Sequence, residues 1–280
     1  MSVLTPENLT IQPRRIDFGL PDPLPRHWLG GDPFKTHFFN AMSLLFPDGE
    51  RFFIDSVRHF RDRVTDPQQQ ALIKGFIGQE GHHSREHIEY NNRLQALGYD
   101  VERLTQPVRR RIAYANKHLS PERRLAGTVA MEHFTAIMAD SVLRELRWFE
   151  GADEAMRRIW RWHALEETEH KAVAFDLYMQ VCGDRKLLRE AMRFSTWFFL
   201  RDVTRGVWHM LKRDGHQWDV RLWWRGMRWL WGRGGFFSSL WGAYRDFYRE
   251  DFHPWQHDNE ALMRECQREF DLANTLRTNY

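Results

Sequence analysis

One arrangement of acidic and imidazole side chains occurs twice in this chain, and it dictates which helices must meet. The first copy is Gln79-Glu80-Gly81-His82-His83, a Glu-x-x-His formed by Glu80 and His83. The second is His163-Ala164-Leu165-Glu166-Glu167-Thr168-Glu169-His170, formed by Glu167 and His170 with His163 one turn earlier. A single carboxylate precedes each copy: Glu50 lies 30 residues before Glu80, and Glu132 lies 35 before Glu167. Positions i, i+3 and i+4 of a helix share a face, so Glu80 converges with His83, and His163 with Glu167 and His170. A fold that uses this pattern has to bring four helices around one point.

One Glu from each of two helices, plus Glu-x-x-His from each of two others, is the ligand recipe of ferritin-like dinuclear carboxylate bundles. A lone Glu-x-x-His is weak, and the chain holds a third, Glu250 to His253, followed by Pro254. The residue before proline is pushed out of helical geometry, which discounts that pair. The order Glu, Glu-x-x-His, Glu, Glu-x-x-His is the specific part. Against it stands the reading that these are solvated helix faces and satisfied core histidines, which weighs most for Glu50. The predicted ligands are Glu50, Glu80, His83, Glu132, His163, Glu167 and His170. His87, one turn beyond His83, is placed as an outer hydrogen-bond donor or a substrate contact. His82 and His133 point away from their ligand neighbours and read as structural. Glu166 and Glu169 read as solvated or arginine-paired, and Tyr90 and Tyr178 as core aromatics.

Strand signals are scarce and helix signals abundant, so the expected fold is all-α: a ferritin-like four-helix bundle with a Trp/Arg-rich helical C-terminal extension. Three regions are expected: an extended N-terminal segment 1–33 running across the surface, a metal-binding bundle 34–184, and an extension 185–280 packed on the bundle. Phe34 to Leu45 reads as a helix interrupted by Phe46-Pro47-Asp48-Gly49, with Asp48 capping a new helix to about Val64 and Glu50 in its first turn. A second long helix spans Pro67 to Gly98, and a shorter one Val108 to His118. Ser120-Pro121-Glu122 reads as N-cap, first-turn proline and dipole-matched acid of the helix carrying Glu132. The fourth spans Asp153 to Cys182, ended by Gly183.

Charged residues make up 28% and hydrophobic ones 42%, which indicates a globular chain. The net charge of +3 is too slight to imply nucleic acid. Only Cys182 and Cys266 are present, so a disulfide framework is not expected, and Met1 to His27 lacks a signal peptide's apolar core. A cytoplasmic location fits. Nine of the 13 tryptophans fall between Trp197 and Trp255, interleaved with arginines. Such a stretch suits a cover over the bundle with Arg stems on rings, a protein interface, or a peripheral membrane contact. It is expected to form a lid or entrance through which an apolar substrate reaches the metals. Asp202, Asp214, Asp219 and Asp246 punctuate it and argue against a nucleic-acid partner.

Several stretches resemble the family of predicted metal-dependent hydrolases: Arg14-Arg15-Ile16-Asp17-Phe18, His27-Trp28, Phe46 to Phe53, Phe76-Ile77-Gly78-Gln79-Glu80 with Arg85-Glu86-His87, and Glu166 to His170. The likeness covers roughly residues 14 to 260. The ligand order, with the additional His163, is also similar to that of dinuclear-iron arylamine N-oxygenases. Four carboxylates and three imidazoles suit two ions of Fe, or Mn with Fe, with Zn as a further option. The leading expectation is a dinuclear non-haem iron (or Mn/Fe) oxygenase that activates O₂ to oxidise a hydrophobic or aromatic small molecule, served by an electron-donor protein. The alternative is a metal-dependent hydrolase using a metal-bridging hydroxide, and the second alternative is a non-catalytic metal-binding protein. A homodimer is left open.

Overall fold

The computed structural model describes residues 5–278, with side chains through Phe270. The regular elements of the described residues are all helices, apart from one isolated β-bridge between Leu29 and Ala152. Its elements are α1 (Pro33–Ser43), α2 (Phe46–Arg58), α3 (Pro67–Ala96), α4 (Val101–His118), α5 (Pro121–Arg144), α6 (Glu154–His170), α7 (Val173–Val181), α8 (Arg185–Arg213), α9 (Val220–Trp231), α10 (Phe236–Ser239), α11 (Trp241–Asp246) and α12 (Glu260–Thr278). None of the described helices is long and apolar enough to cross a membrane.

Local chemistry explains most boundaries. Asp66, Ser120 and Asp153 accept from backbone N–H groups at the starts of α3, α5 and α6, satisfying donors a helix start leaves open. Two expected boundaries differ. The expected break falls two residues early, at Leu44-Leu45, and Phe46-Pro47-Asp48-Gly49 is the first turn of α2, where proline's missing N–H costs no bond. Asp48 is therefore not the cap, Glu50 lies in the second turn, and α2 ends at Arg58 rather than near Val64. The helix expected from Asp153 to Cys182 is broken after His170, so His170 ends α6 instead of lying mid-helix. The break falls at Lys171, whose buried ammonium donates to His257 O and Asn259 Oδ1, each at 2.7 Å. Those acceptors come from the far end of the sequence, beyond the reach of helical periodicity. α4 starts seven residues earlier than expected, at Val101, carrying Pro107 inside it.

α2 packs on α3, α5 on α6, and α2 on α5, which encloses a space among the four. The N-terminal segment is extended but not confined to the surface: Ile11, Ile16, Phe18, Leu24 and Trp28 are buried. Gly75 and Gly78, one turn apart on α3, let it approach. A Cβ on Gly75 would stand 2.5 Å from Ile11 O, and one on Gly78 2.5 Å from Pro13 Cγ. α8 and α9 close over α1 by the same device. A Cβ on Gly206 would meet Ala41 Cβ at 2.7 Å, and one on Gly226 the Phe34 ring at 2.3 Å.

Candidate metal centre

Each of the four enclosing helices contributes its predicted side chains to one buried cluster. α2 supplies Glu50, α3 supplies Glu80 and His83, α5 supplies Glu132, and α6 supplies His163, Glu167 and His170. All seven are buried. They form three overlapping groups: Glu50 with His83 and His163; Glu80 with Glu132 and His170; Glu80 with His83 and Glu167. Within each group the candidate ligand atoms lie within 4.8 Å of one another. Glu250 and His253 stay apart from this cluster: His253 is extended (φ −143°, ψ 142°) and bonds Asp176 at 2.8 Å.

The surrounding hydrogen bonds fix which atoms face inward. Gln79 Nε2 donates to Glu169 and to the Gln12 carbonyl, so its Oε1 accepts from His170 Nδ1 at 3.1 Å. In the neutral ring His170 Nε2 then offers a lone pair, and it faces Glu80 at 3.3 Å, Glu167 at 3.4 Å and Glu132 at 3.5 Å. A second chain does the same for His163. Asn91 Nδ2 donates to the Ser43 carbonyl, so its Oδ1 accepts from the Ser43 hydroxyl at 2.8 Å. Ser43 Oγ then accepts from His87 Nδ1 at 2.9 Å, and His87 Nε2 accepts from His163 Nδ1 at 2.8 Å. His163 Nε2 is left directing a lone pair at Glu167 Oε1, 3.0 Å away. Lone pairs opposed in this way are reconciled by a cation between them. His87 thus sits behind His163, away from the carboxylates.

The electrostatics agree. Burial pushes Glu50, Glu80 and Glu132 well above the usual carboxylate range, with neighbouring carboxylates adding to the shift. Burial likewise drives His83 and His87 well below the usual imidazole range. Among the described residues, Glu50 Oε1, both oxygens of Glu80 and of Glu132, both nitrogens of His83, and His170 Nε2 are buried without a hydrogen-bond partner. Buried polar atoms in native proteins are nearly always partnered, so this concentration of orphaned oxygens and imidazole nitrogens fits a bound cation.

Of the two readings of Glu166 and Glu169, solvated or arginine-paired, the structure has the second. Glu166 and Glu169 are fully buried rather than solvated, and Arg14 pairs with both, at 3.3 and 2.6 Å. Burial raises Glu166 to about 7 against the pull of Arg14. Glu166 Oε2 stands 3.2 Å from His83 Nε2, so it backs that ring from outside. Ser84 donates to Glu50 at 2.8 Å, and Thr135 donates to Glu167. Arg14 lies in a stretch singled out by resemblance, yet nothing local ties it to carboxylates 152 residues away. His82 donates to Arg14 O and His133 to Ala243 O, as structural groups do. Tyr90 donates to Asn40, and Tyr178 to Asp184 O.

A groove of about 630 Å³, lined in part by Thr5, Phe175 and His253, contains none of the seven residues. A much smaller cavity of about 30 Å³ touches His163 and Glu167. Its walls are apolar: Phe39, Met42, Phe46, Met138, Trp160 and, from the C-terminal layer, Phe236. That volume is about one water molecule, and Phe236 brings the C-terminal layer into contact with the site here.

Fold and site together define an all-helical protein with a buried, metal-capable carboxylate–imidazole centre. The chain belongs to the family of predicted metal-dependent hydrolases, whose model matches residues 12–258. No curated protein and no solved structure matches it. The family finding corrects the leading expectation from the sequence. O₂ activation at an iron or Mn/Fe centre gives way to the hydrolytic alternative, because the donor set is common to both chemistries and the family description names hydrolysis. The match supports dependence on a metal and does not specify iron.

Proposed function

We propose that this chain hydrolyses a small apolar substrate at a pair of divalent metal ions held by Glu50, Glu80, His83, Glu132, His163, Glu167 and His170. On this reading α2, α3, α5 and α6–α7 are a ferritin-like bundle, and the C-terminal helices are its cover. The observation that carries the proposal is the His170 Nε2 lone pair opposite three carboxylates, amid buried atoms without partners. Two +2 ions would balance four carboxylates, which makes burial of the cluster feasible. Bound metals of this kind polarise a substrate carbonyl or phosphoryl oxygen and lower the pKa of water.

The chain's own residues do the rest. Gln79 and His87 orient His170 and His163, so these two rings present lone pairs without a search through tautomers. Ser84 and Thr135 each occupy one carboxylate oxygen, of Glu50 and Glu167, leaving the other directed inward. Phe39, Met42, Phe46 and Trp160 exclude bulk water beside His163 and Glu167 and offer contact to an apolar group. The test is an anaerobic assay of apo-protein loaded separately with Zn, Mn or Fe on p-nitrophenyl acyl esters and aryl amides. Hydrolysis by at least one loaded form, unaffected by O₂ and abolished in Glu80→Ala, is expected. Failure of every loaded form, or turnover that requires O₂, overturns the proposal.

A further inference from the structure

Nine of the thirteen large apolar side chains exposed among the described residues lie between Phe194 and Trp241. This is also where positive charge gathers: residues 191–240 hold nine Lys and Arg against three Asp, a net +6 in a chain whose total is +3. The three acids add little negative charge to the outer face. Asp202 is buried against Arg111 and Arg201, and Asp214 accepts from His27, His37, Tyr99 and Arg26. Asp219 caps α9 by accepting from Leu222 N.

The helices sort these residues by face. At 100° per residue, Phe194, Trp197, Arg201, Arg205, Trp208 and Lys212 fall within about 80° on α8. On α9, Leu222, Gly226 and Leu230 are buried toward α1, while Arg221, Trp224, Arg225, Arg228 and Trp231 share the opposite side and are exposed. Both helices pack on α1, and Trp208 touches Trp218 and Trp223 at ring distances of 5.1 and 5.9 Å, so the two outer faces adjoin. No carboxylate forms an ion pair with Arg221, Arg225, Arg228 or Arg233 among the described residues. Arg228 lies over the Trp224 ring, 5.5 Å from its centroid.

We infer that the outer face of α8 and α9 docks on an anionic lipid surface, with the tryptophans at headgroup depth and the arginines on lipid phosphates. Amphipathic helices that lie in a membrane interface combine Trp and cations in this way. Charge selects the occupant: a second copy of this face would set Arg201, Arg205, Lys212, Arg221, Arg225 and Arg228 against the same six cations, whereas an anionic bilayer complements them. The inference is independent of what the metal centre hydrolyses.

The test is sedimentation of the full-length, metal-loaded protein with phosphatidylglycerol–phosphatidylcholine vesicles in equal parts, and with pure phosphatidylcholine. Binding to the mixed vesicles that weakens with salt is expected, with about fivefold loss for each arginine neutralised among Arg221→Gln, Arg225→Gln and Arg228→Gln. Trp224→Ser and Trp231→Ser should weaken binding while leaving far-UV circular dichroism and Tm unchanged. Brominated lipids should quench tryptophan fluorescence of the unaltered protein, a readout that needs no variant. Absence of binding, or binding indifferent to both sets of variants, overturns the inference. So does a dimer in solution that these variants dissociate, or tighter binding to a single-stranded oligonucleotide than to vesicles.

Discussion

The bundle interior and the C-terminal layer are built from the same ingredients, charge beside aromatic rings, with opposite outcomes. Around the metal centre, Glu80, Glu132, Glu166 and Glu169 are buried, and each faces a histidine, Arg14 or Gln79. In the layer, Arg221, Arg225 and Arg228 are exposed beside Trp224 and Trp231. A buried carboxylate without a partner is costly, so the interior dictates a cation, an arginine or an orienting amide at each position. An exposed arginine is solvated and tolerates having no partner; its effect is long-range and screened by salt. The comparison teaches that the solvent surrounding a charge decides whether it acts as a ligand or as a field.

The sharpest way to break this contrast is to remove a metal-facing carboxylate. Glu80→Ala or Glu167→Ala is expected to lose at least one metal equivalent and all hydrolysis, measured by elemental analysis and turnover. Full occupancy by two metals in both variants would falsify the ligand assignment. The next effect concerns the shell behind the ligands. Arg14→Ala leaves Glu166 and Glu169 buried without their cation, and a cost of about 3–5 kcal/mol is expected in urea unfolding. A loss under 1 kcal/mol would place Arg14 with surface arginines.

A smaller effect is expected from the orienting groups. Gln79→Leu and His87→Phe keep the bulk but remove the acceptors of His170 Nδ1 and His163 Nδ1. Metal affinity should fall about 10–100-fold in each, with the helical spectrum unchanged. Unaltered affinity in His87→Phe would return His163 to the role of a core histidine. The smallest contrast lies within one helix. Gly226→Ala, against the Phe34 ring, should cost about 1–3 kcal/mol, whereas Trp224→Ala on the exposed side should stay within about 0.5 kcal/mol. Equal losses at the two positions would mean that the outer face is packed against something.

Much of the fold and centre was readable in the residue order. Helix periodicity placed Glu80, His83, His163, Glu167 and His170 on shared faces, and Pro67, Ser120 and Asp153 marked true helix starts, because these are interactions among neighbours within one or two turns. Ordering along the chain was enough to nominate Glu50 and Glu132. The oxygenase expectation failed because ligand identity does not separate oxidative from hydrolytic chemistry. The family match, a relation among whole sequences, supplied the distinction.

Tertiary structure alone decided the remainder. That Arg14 crosses 152 residues to Glu166 and Glu169, that Gln79 and His87 set ring tautomers, and that Lys171 breaks the helix after His170 all depend on partners remote in sequence. The acids at 202, 214 and 219 likewise look as though they dilute the arginines of the layer until the fold turns Asp202 and Asp214 toward partners in α4 and the N-terminal segment. The sequence by itself determined which side chains share a helix face, because that follows from 3.6 residues per turn. Only the folded chain decided which of those faces lost water, and loss of water separates the bound charges of the centre from the free charges of the surface.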